Sequence, residues 1–467
     1  MRAQSRLVQA GFAAIAAVLL LTGALNLRST IGRDSSGNWE IDPAAQSQMD
    51  QLTGTWRRTQ SDLDARIPAY QDELRAAPDN GPAAARLGHA YVQKARESGD
   101  PSYYPKSETL FATAFDRNDQ DYSAAAGLGE VALARHDFEL ALEWGERAKA
   151  INPYSSVPYG VIGDALIELG RYDEAIAVIQ QMVDIRPDLA SFARVSYLRE
   201  LMGDVPGAVV AMEQAAEAGS TSAENVSWTQ AQLGNLAFNA GDPGEARKHY
   251  EASIITLDGY VYGLAGLGKV AAAEGDFAAA IQHYKDAIKR MPLPEFVIAL
   301  GDIYQANEQP DAAAQQYELV QAMIRLYDEN GVDTDIELAL FLADHGSDPA
   351  AAVEKAKAGY AKRPSVKSAD VLAWALYKAG AYDEAMDYGN EALRLGTRDA
   401  GMFFHAGMIA AALGDNANAV TLLERAFAIN PAFSLLHAPL ARATLDELKT
   451  TESATVYRHE HASAHDS

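Results

Sequence analysis

Five Leu-Gly or Ile-Gly pairs recur along this chain, at Leu128-Gly129, Ile162-Gly163, Leu233-Gly234, Leu267-Gly268 and Leu300-Gly301. Each is followed twelve residues after its glycine by an alanine, namely Ala141, Ala175, Ala246, Ala280 and Ala313. The basic step is 34 residues, as between 128 and 162 or between 233 and 267. A unit of that length is too short to close a core of its own. It buries its apolar face only by stacking on its neighbours, which predicts a helical solenoid whose product is surface rather than an enclosed reaction centre.

Within a unit the apolar residues recur at i, i+3 and i+4, and strand-like alternation is sparse, so the array is all-α. From Tyr122 a first helix carries Leu128, Gly129 and Ala132, a turn holds His136 and Phe138, and a second helix carries Ala141, Gly145 and Ala148 before Pro153. The next unit repeats these slots with Ile162, Gly163, Leu166, Gly170, Tyr172, Ala175, Ile179, Met182 and Pro187. Small residues at the glycine and alanine slots let helix backbones approach, and Tyr172, Phe277 and Tyr382 fill the wedge beside the turn. Glycines 170, 203, 241, 275, 380 and 414 stand where a left-handed residue ends the first helix. Asp258-Gly259, which looks like a hairpin turn, falls between two units and is read as a helix-helix turn.

These slots resemble the tetratricopeptide repeat, whose signature is W-x2-L-G-x2-Y followed by Ala, an aromatic, Ala and Pro. The resemblance implies a right-handed superhelical solenoid of helix-turn-helix repeats over 58–448. Ten units are laid out after a leading half unit (Ile67, Tyr70, Leu74, Pro78), with an insertion at 93–104, Ser196 in a glycine slot, a degenerate unit at 336–364 and a capping helix at 433–448. The D-P-S-Y-Y, G-T-R-D-A and L-H-A-P segments at 100–104, 396–400 and 436–439 are similar to exported or membrane-anchored bacterial repeat proteins of an actinobacterial type.

Ahead of the array, Arg2 and Arg6 precede the uncharged stretch Leu7 to Leu27, long enough as a helix to span a hydrocarbon core. Two readings stand for 1–27, an uncleaved signal anchor or a cleaved signal peptide. Both place the array outside the cytoplasm, on the cell membrane or secreted. Residues 28–57 read as a polar linker too poor in apolar residues to fold alone. The first 33 residues hold four of the 39 basic side chains and no acid, so the remainder carries 64 acidic against 35 basic groups, a formal charge of −29. Such a field repels phosphate backbones, excludes nucleic acid and favours a basic or neutral protein or peptide. Without cysteine there is no disulfide, thiolate site or lipid-attachment cysteine.

Enzyme signatures are missing. The Gly263 to Lys269 stretch imitates a phosphate loop but has Val270 where a metal-binding hydroxyl belongs, and the repeat register accounts for its glycines. No G-x-S-x-G or H-E-x-x-H occurs, so a non-catalytic chain without a cofactor is expected. In the polar tail, 449–467, His459, His461 and His465 could supply imidazoles to a metal, although a solvated terminus explains them as well.

Recognition is what remains. In the family it resembles, first helices line the concave face, and carrying their outward slots onto this chain selects Tyr197, Trp228, Asn235, Phe238, Asn239, Tyr262, Lys269, Asp302, Trp374 and Tyr377. Aromatic rings there offer area with few rotors, and Asn235 and Asn239, four apart, could grip a peptide backbone; packing between repeats is the competing role for each. The basic residues that flank the carboxylate clamp of chaperone-binding members are not seen, and only Lys269 lies nearby. The expected function is a cell-envelope scaffold for a protein partner. The alternative is a chaperone-like binder of extended peptides, or a metal-linked accessory protein using the tail.

Overall fold

The computed structural model describes residues 31–33, 39–41 and 63–463, with the two short segments and 451–463 described by backbone alone. A helix over 63–76 (α1) leads into ten helical hairpins. In order they are α2–α3 (Gly81–Ser98, Tyr103–Arg117), α4–α5 (Tyr122–Ala134, Phe138–Ile151), α6–α7 (Val157–Glu168, Tyr172–Ile185), α8–α9 (Leu189–Leu201, Val205–Ala218), α10–α11 (Ala223–Asn239, Pro243–Thr256), α12–α13 (Val261–Ala273, Phe277–Arg290), α14–α15 (Pro294–Ala306, Pro310–Glu329), α16–α17 (Asp335–His345, Pro349–Lys362), α18–α19 (Val366–Lys378, Tyr382–Ala392) and α20–α21 (Ala400–Ala412, Asn416–Ile429). A last helix, α22 (His437–Ser463), covers the open face of the tenth. The fold is an all-helical solenoid.

Local chemistry explains each turn. A left-handed residue ends the first helix, with φ of 69° at Gly170, 76° at Gly203 and 84° at Gly241. In several units an aspartate follows at once and accepts the backbone N–H three residues on, as Asp204 does from Gly207 and Asp242 from Glu245. This satisfies one orphan donor of the second helix and sets its start. The twelfth-residue alanines 141, 175, 246, 280 and 313 are buried to 1 % exposure or less. The glycine slot exists because a ring sits on it: a methyl group at Gly234, Gly268 or Gly301 would stand 2.5–2.7 Å from Tyr250, Tyr284 or Tyr317, each sixteen residues on. Asp258-Gly259 is indeed the turn between α11 and α12, with Gly259 left-handed.

The superhelix closes on itself. Turns inside the second to fifth hairpins dock just after the seventh to tenth, at separations of 192 to 197 residues. His136 Nδ1 lies 2.7 Å from the Asp333 carbonyl, and the Val366 N–H donates to the Tyr172 hydroxyl at 2.9 Å. Thr397 Oγ1 donates to the Leu201 carbonyl at 2.5 Å, and Asn430 Nδ2 to the Phe238 carbonyl at 2.9 Å. With a 34-residue unit this puts between five and six units in a superhelical turn, and the second turn rests on the first along a polar seam.

Two expectations need correction. The linker, read as unable to fold, contains a two-stranded antiparallel ribbon, β1 (Ile31–Arg33) with β2 (Trp39–Ile41), in register Ile31↔Ile41. Cross-strand backbone pairing joins the two short segments. The cap does not stop at 448: α22 continues through the segment read as a solvated tail to Ser463. Among the described residues no helix is long and apolar enough to cross a membrane; the Leu7 to Leu27 stretch lies outside them.

Candidate partner-binding groove

The residue after each glycine slot falls on the inner, concave side of the turn, one per unit. In chain order these are His89, Glu130, Asp164, Tyr197, Asn235, Lys269 and Asp302. Most are tied up by neighbours. His89 lies 3.5 Å from Glu130, Asp164 holds Arg194 through two contacts of 2.6 and 2.8 Å, and Asn235 accepts from the Tyr250 hydroxyl at 2.8 Å. Asp302 accepts from the Tyr317 hydroxyl at 2.9 Å and lies 3.4 Å from His345.

Three cavities follow this face and share walls. The first, about 600 Å³, is bounded by Arg96, Arg194, Trp228, Tyr260, Tyr262 and Arg290. Trp228 and Ala193 are common to a second of about 420 Å³, which adds Tyr197, Glu200, Asn235, Asn239, Lys269 and Lys367. Five of these, Tyr197, Glu200, Asn239, Lys269 and Lys367, also line a third of about 430 Å³, which runs past Phe238 and Asp302 to Phe433 and Leu435. Together they make a continuous polar-aromatic groove. Eight of the ten residues selected from the sequence line it: Tyr197, Trp228, Asn235, Phe238, Asn239, Tyr262, Lys269 and Asp302.

Charge inside is unlike the chain average. Burial works against the Lys367 ammonium, yet its pKa is raised, because it hydrogen-bonds the Tyr197 hydroxyl and faces Glu168 and Glu200. Burial pushes the Glu200 carboxyl up, opposed by Lys367 and by Asn239, whose Nδ2 donates to Oε1 at 3.3 Å. Burial likewise pushes Asp302 up to about 7, against the Tyr317 hydrogen bond and with help from Asp344. Lys269 is lowered by burial, its ammonium 5.2 Å from the Phe238 ring centre.

Trp374 does not join the groove, which corrects its assignment as a partner-binding residue, and Tyr377, half-buried against it, is not among the residues that line the cavities. Trp374 is 1 % exposed, stacks between Tyr377 and His405 at 4.8 and 4.4 Å, and donates Nε1 to Asp344 Oδ1 at 2.7 Å. His437 of the cap comes within 3.4 Å of the same carboxylate. The cap therefore turns this stretch of the concave face into core. Phe238 is a wall rather than a free anchor, with 6 % of its surface exposed. Lys367 and Arg398 have no sign in the repeat register, since they meet Lys269 only through the superhelical return, whereas Glu200 stands 39 residues before Asn239 and comes in by stacking of neighbouring units. His459 and His461 lie in α22, where only the backbone is described, and His465 lies outside the described residues; among the described residues no group of three potential ligands is placed to hold a metal.

Comparison with known proteins accords with the geometry. Two profiles described as tetratricopeptide repeat match, one at residues 102–156, 232–293 and 265–324 and the other at 158–189 and 400–433. Solved structures that resemble the chain include the APC/C Cut9–Hcn1 hetero-tetramer, at 15 % identity and TM-score 0.37 over 85 % of this chain and 96 % of that one. A thermophilic tetratricopeptide-repeat protein of Thermus thermophilus matches at 19 % identity and TM-score 0.35, over 44 % of this chain and 99 % of that one. Yeast Tom70 matches at 11 % and 0.34, over 89 % and 97 %. No curated protein matches the sequence. Proteins built from these repeats bind protein partners and are generally non-catalytic scaffolds.

Proposed function

Taking the chain as a tetratricopeptide-repeat protein, we propose that it is a non-catalytic scaffold that holds an extended segment of a partner protein in the groove inside its closed superhelical turn. The observation that carries this reading is the continuity of the three cavities past Tyr262, Trp228, Tyr197 and Asn239. Half-buried aromatic rings and amides spaced along one path suit a peptide backbone with intermittent side-chain anchors. We further propose, on the Arg2, Arg6 and Leu7 to Leu27 pattern alone, that the array is presented on the outer side of a membrane.

A photo-crosslinking amino acid placed at Tyr197, compared with one at Tyr154, which is 88 % exposed outside the groove, tests the first part. Crosslinks from position 197 mapping to one contiguous segment of one protein support the scaffold. Crosslinks from position 154 alone would refute the groove, and many unrelated segments at 197 would make the chain a general peptide holder instead. A reporter fused after Gly54 that is active in the cytoplasm would refute the location.

A further inference from the structure

Among the seven residues of the concave ladder, Lys269 alone has no polar partner. Glu130, Asp164, Asn235 and Asp302 each hold a hydrogen bond or ion pair, and Tyr197 is engaged by Lys367. No hydrogen bond or ion pair among the described residues reaches the Lys269 ammonium; its only neighbour of note is the Phe238 ring face. Yet it is not sealed in. No buried side-chain nitrogen or oxygen among the described residues is left without a partner, so the ammonium must open into a cavity, and it lines two of them.

The carboxylates around it are already committed. Glu200 is held by Asn239 and Lys367, Asp399 accepts the Gly401 and Met402 N–H groups as the cap of α20, and Asp302 takes the Tyr317 hydroxyl. Arg398 adds a second uncommitted cation at the rim of the same cavity. In a chain with a formal net charge of −25, Lys269, Lys367 and Arg398 here balance Glu200, Asp302 and Asp399, so the groove centre lacks the acidic excess of the rest of the chain. An ammonium taken largely out of water costs free energy until an anion meets it, so the free protein holds here an interaction that only a ligand can complete.

Position decides what kind of anion fits. The groove continues past Lys269 in both directions, toward Trp228 and Tyr262 on one side and toward Phe433 and Leu435 on the other. A chain lying along it passes through rather than ending there. Resting on the peptide-holding reading above, we propose that Lys269 is a specificity subsite for an acidic side chain, Asp or Glu, within the held segment, so that the partner is locally acidic where it crosses the middle of the groove. This reverses, for that one position, the preference for basic or neutral partners that the overall charge suggests.

The test uses the full chain and fluorescein-labelled twelve-residue Ala/Ser/Tyr peptides, blocked at both ends, with a single central Glu, Gln or Lys, measured by anisotropy at low salt. The Glu peptide should bind at least about tenfold tighter than the Gln peptide, the size of one charge-assisted hydrogen bond. Lys269→Met should erase that preference, Lys269→Arg should keep it, and the exposed Lys285→Met should leave it unchanged, with circular dichroism confirming that each variant is folded. Equal binding of Glu and Gln peptides that remains sensitive to Tyr197→Ala would overturn the subsite while leaving the groove reading intact. A Gln peptide with a free C-terminus matching the Glu peptide would make this a chain-end site. Displacement by millimolar inorganic phosphate with no Glu preference would make it a small-anion site. Either result defeats the proposal.

Discussion

Six glycines occupy the same slot of six units, all left-handed, but their surroundings divide them. At Gly170, Gly203 and Gly241 an added methyl would stand 2.4, 2.3 and 2.6 Å from the carbonyl oxygens of Pro364, Gly396 and Ile429 across the seam. At Gly275, Gly380 and Gly414, with φ of 81°, 79° and 78°, it would meet nothing within 4 Å. Alanine substitution therefore separates two costs. All six variants bear the left-handed strain of a side chain, about 1–2 kcal/mol. Only the first three must also push two superhelical turns apart by more than half an ångström. Overpacking of that kind costs about 1–3 kcal/mol, and the Thr397–Leu201 and Asn430–Phe238 hydrogen bonds beside it stand to lose about 1 kcal/mol each. Urea unfolding of Gly203→Ala against Gly380→Ala should thus differ by about 1–3 kcal/mol. Small-angle scattering should show a larger radius of gyration for Gly203→Ala, as the second turn lifts off the first, and an unchanged one for Gly380→Ala. If the two variants match in stability and in radius, the seam contributes nothing in solution and the closed turn is wrong.

Asp302, pushed by burial from an ordinary 3.8 up to about 7, stabilises the fold most below the unfolded value, and that contribution is lost as pH rises from 3.8 to 7. Asp302→Asn keeps the Tyr317 hydrogen bond without the buried charge, so its stability should gain on the native chain across that window by up to about 4 kcal/mol and then level off; a pH-independent gap in urea titrations would contradict this. His437 behaves oppositely. Burial chiefly lowers it from 6.5 to about 4, with Asp344 opposing and His405, Lys378 and His345 adding to the shift, so its share of stability is present above 6.5 and lost as pH falls toward 4. His437→Gln should flatten that acid-side loss, on the order of 3 kcal/mol, in thermal melts between pH 7 and 4. Trp374→Phe removes the indole donor to Asp344 and should cost about 1–3 kcal/mol of stability while leaving peptide binding intact, whereas Tyr197→Ala should weaken peptide binding as well as freeing Lys367. Binding lost in Trp374→Phe at full stability would return that residue to the site.

The 34-residue register places Gly268, Ala280 and the left-handed glycines without any structure, because each slot answers to a neighbour one turn or one helix away. The same register lines up Tyr197, Asn235, Lys269 and Asp302 on one face, and eight of ten concave candidates lie in the groove for that reason. It could not separate Trp374 from them. That ring is buried by His437 and the cap helix, a contact between helices two units apart for which the local pattern carries no sign. Nor could it bring Lys367 beside Tyr197, 170 residues earlier, or Thr397 against Leu201. Those meetings depend on the pitch of the superhelix, which sums a small rotation at every unit interface. A few degrees of packing angle per interface leave every repeat slot satisfied, yet they decide whether successive turns touch, and so whether the inner face is an open arc or a closed groove with an unpaired lysine at its centre.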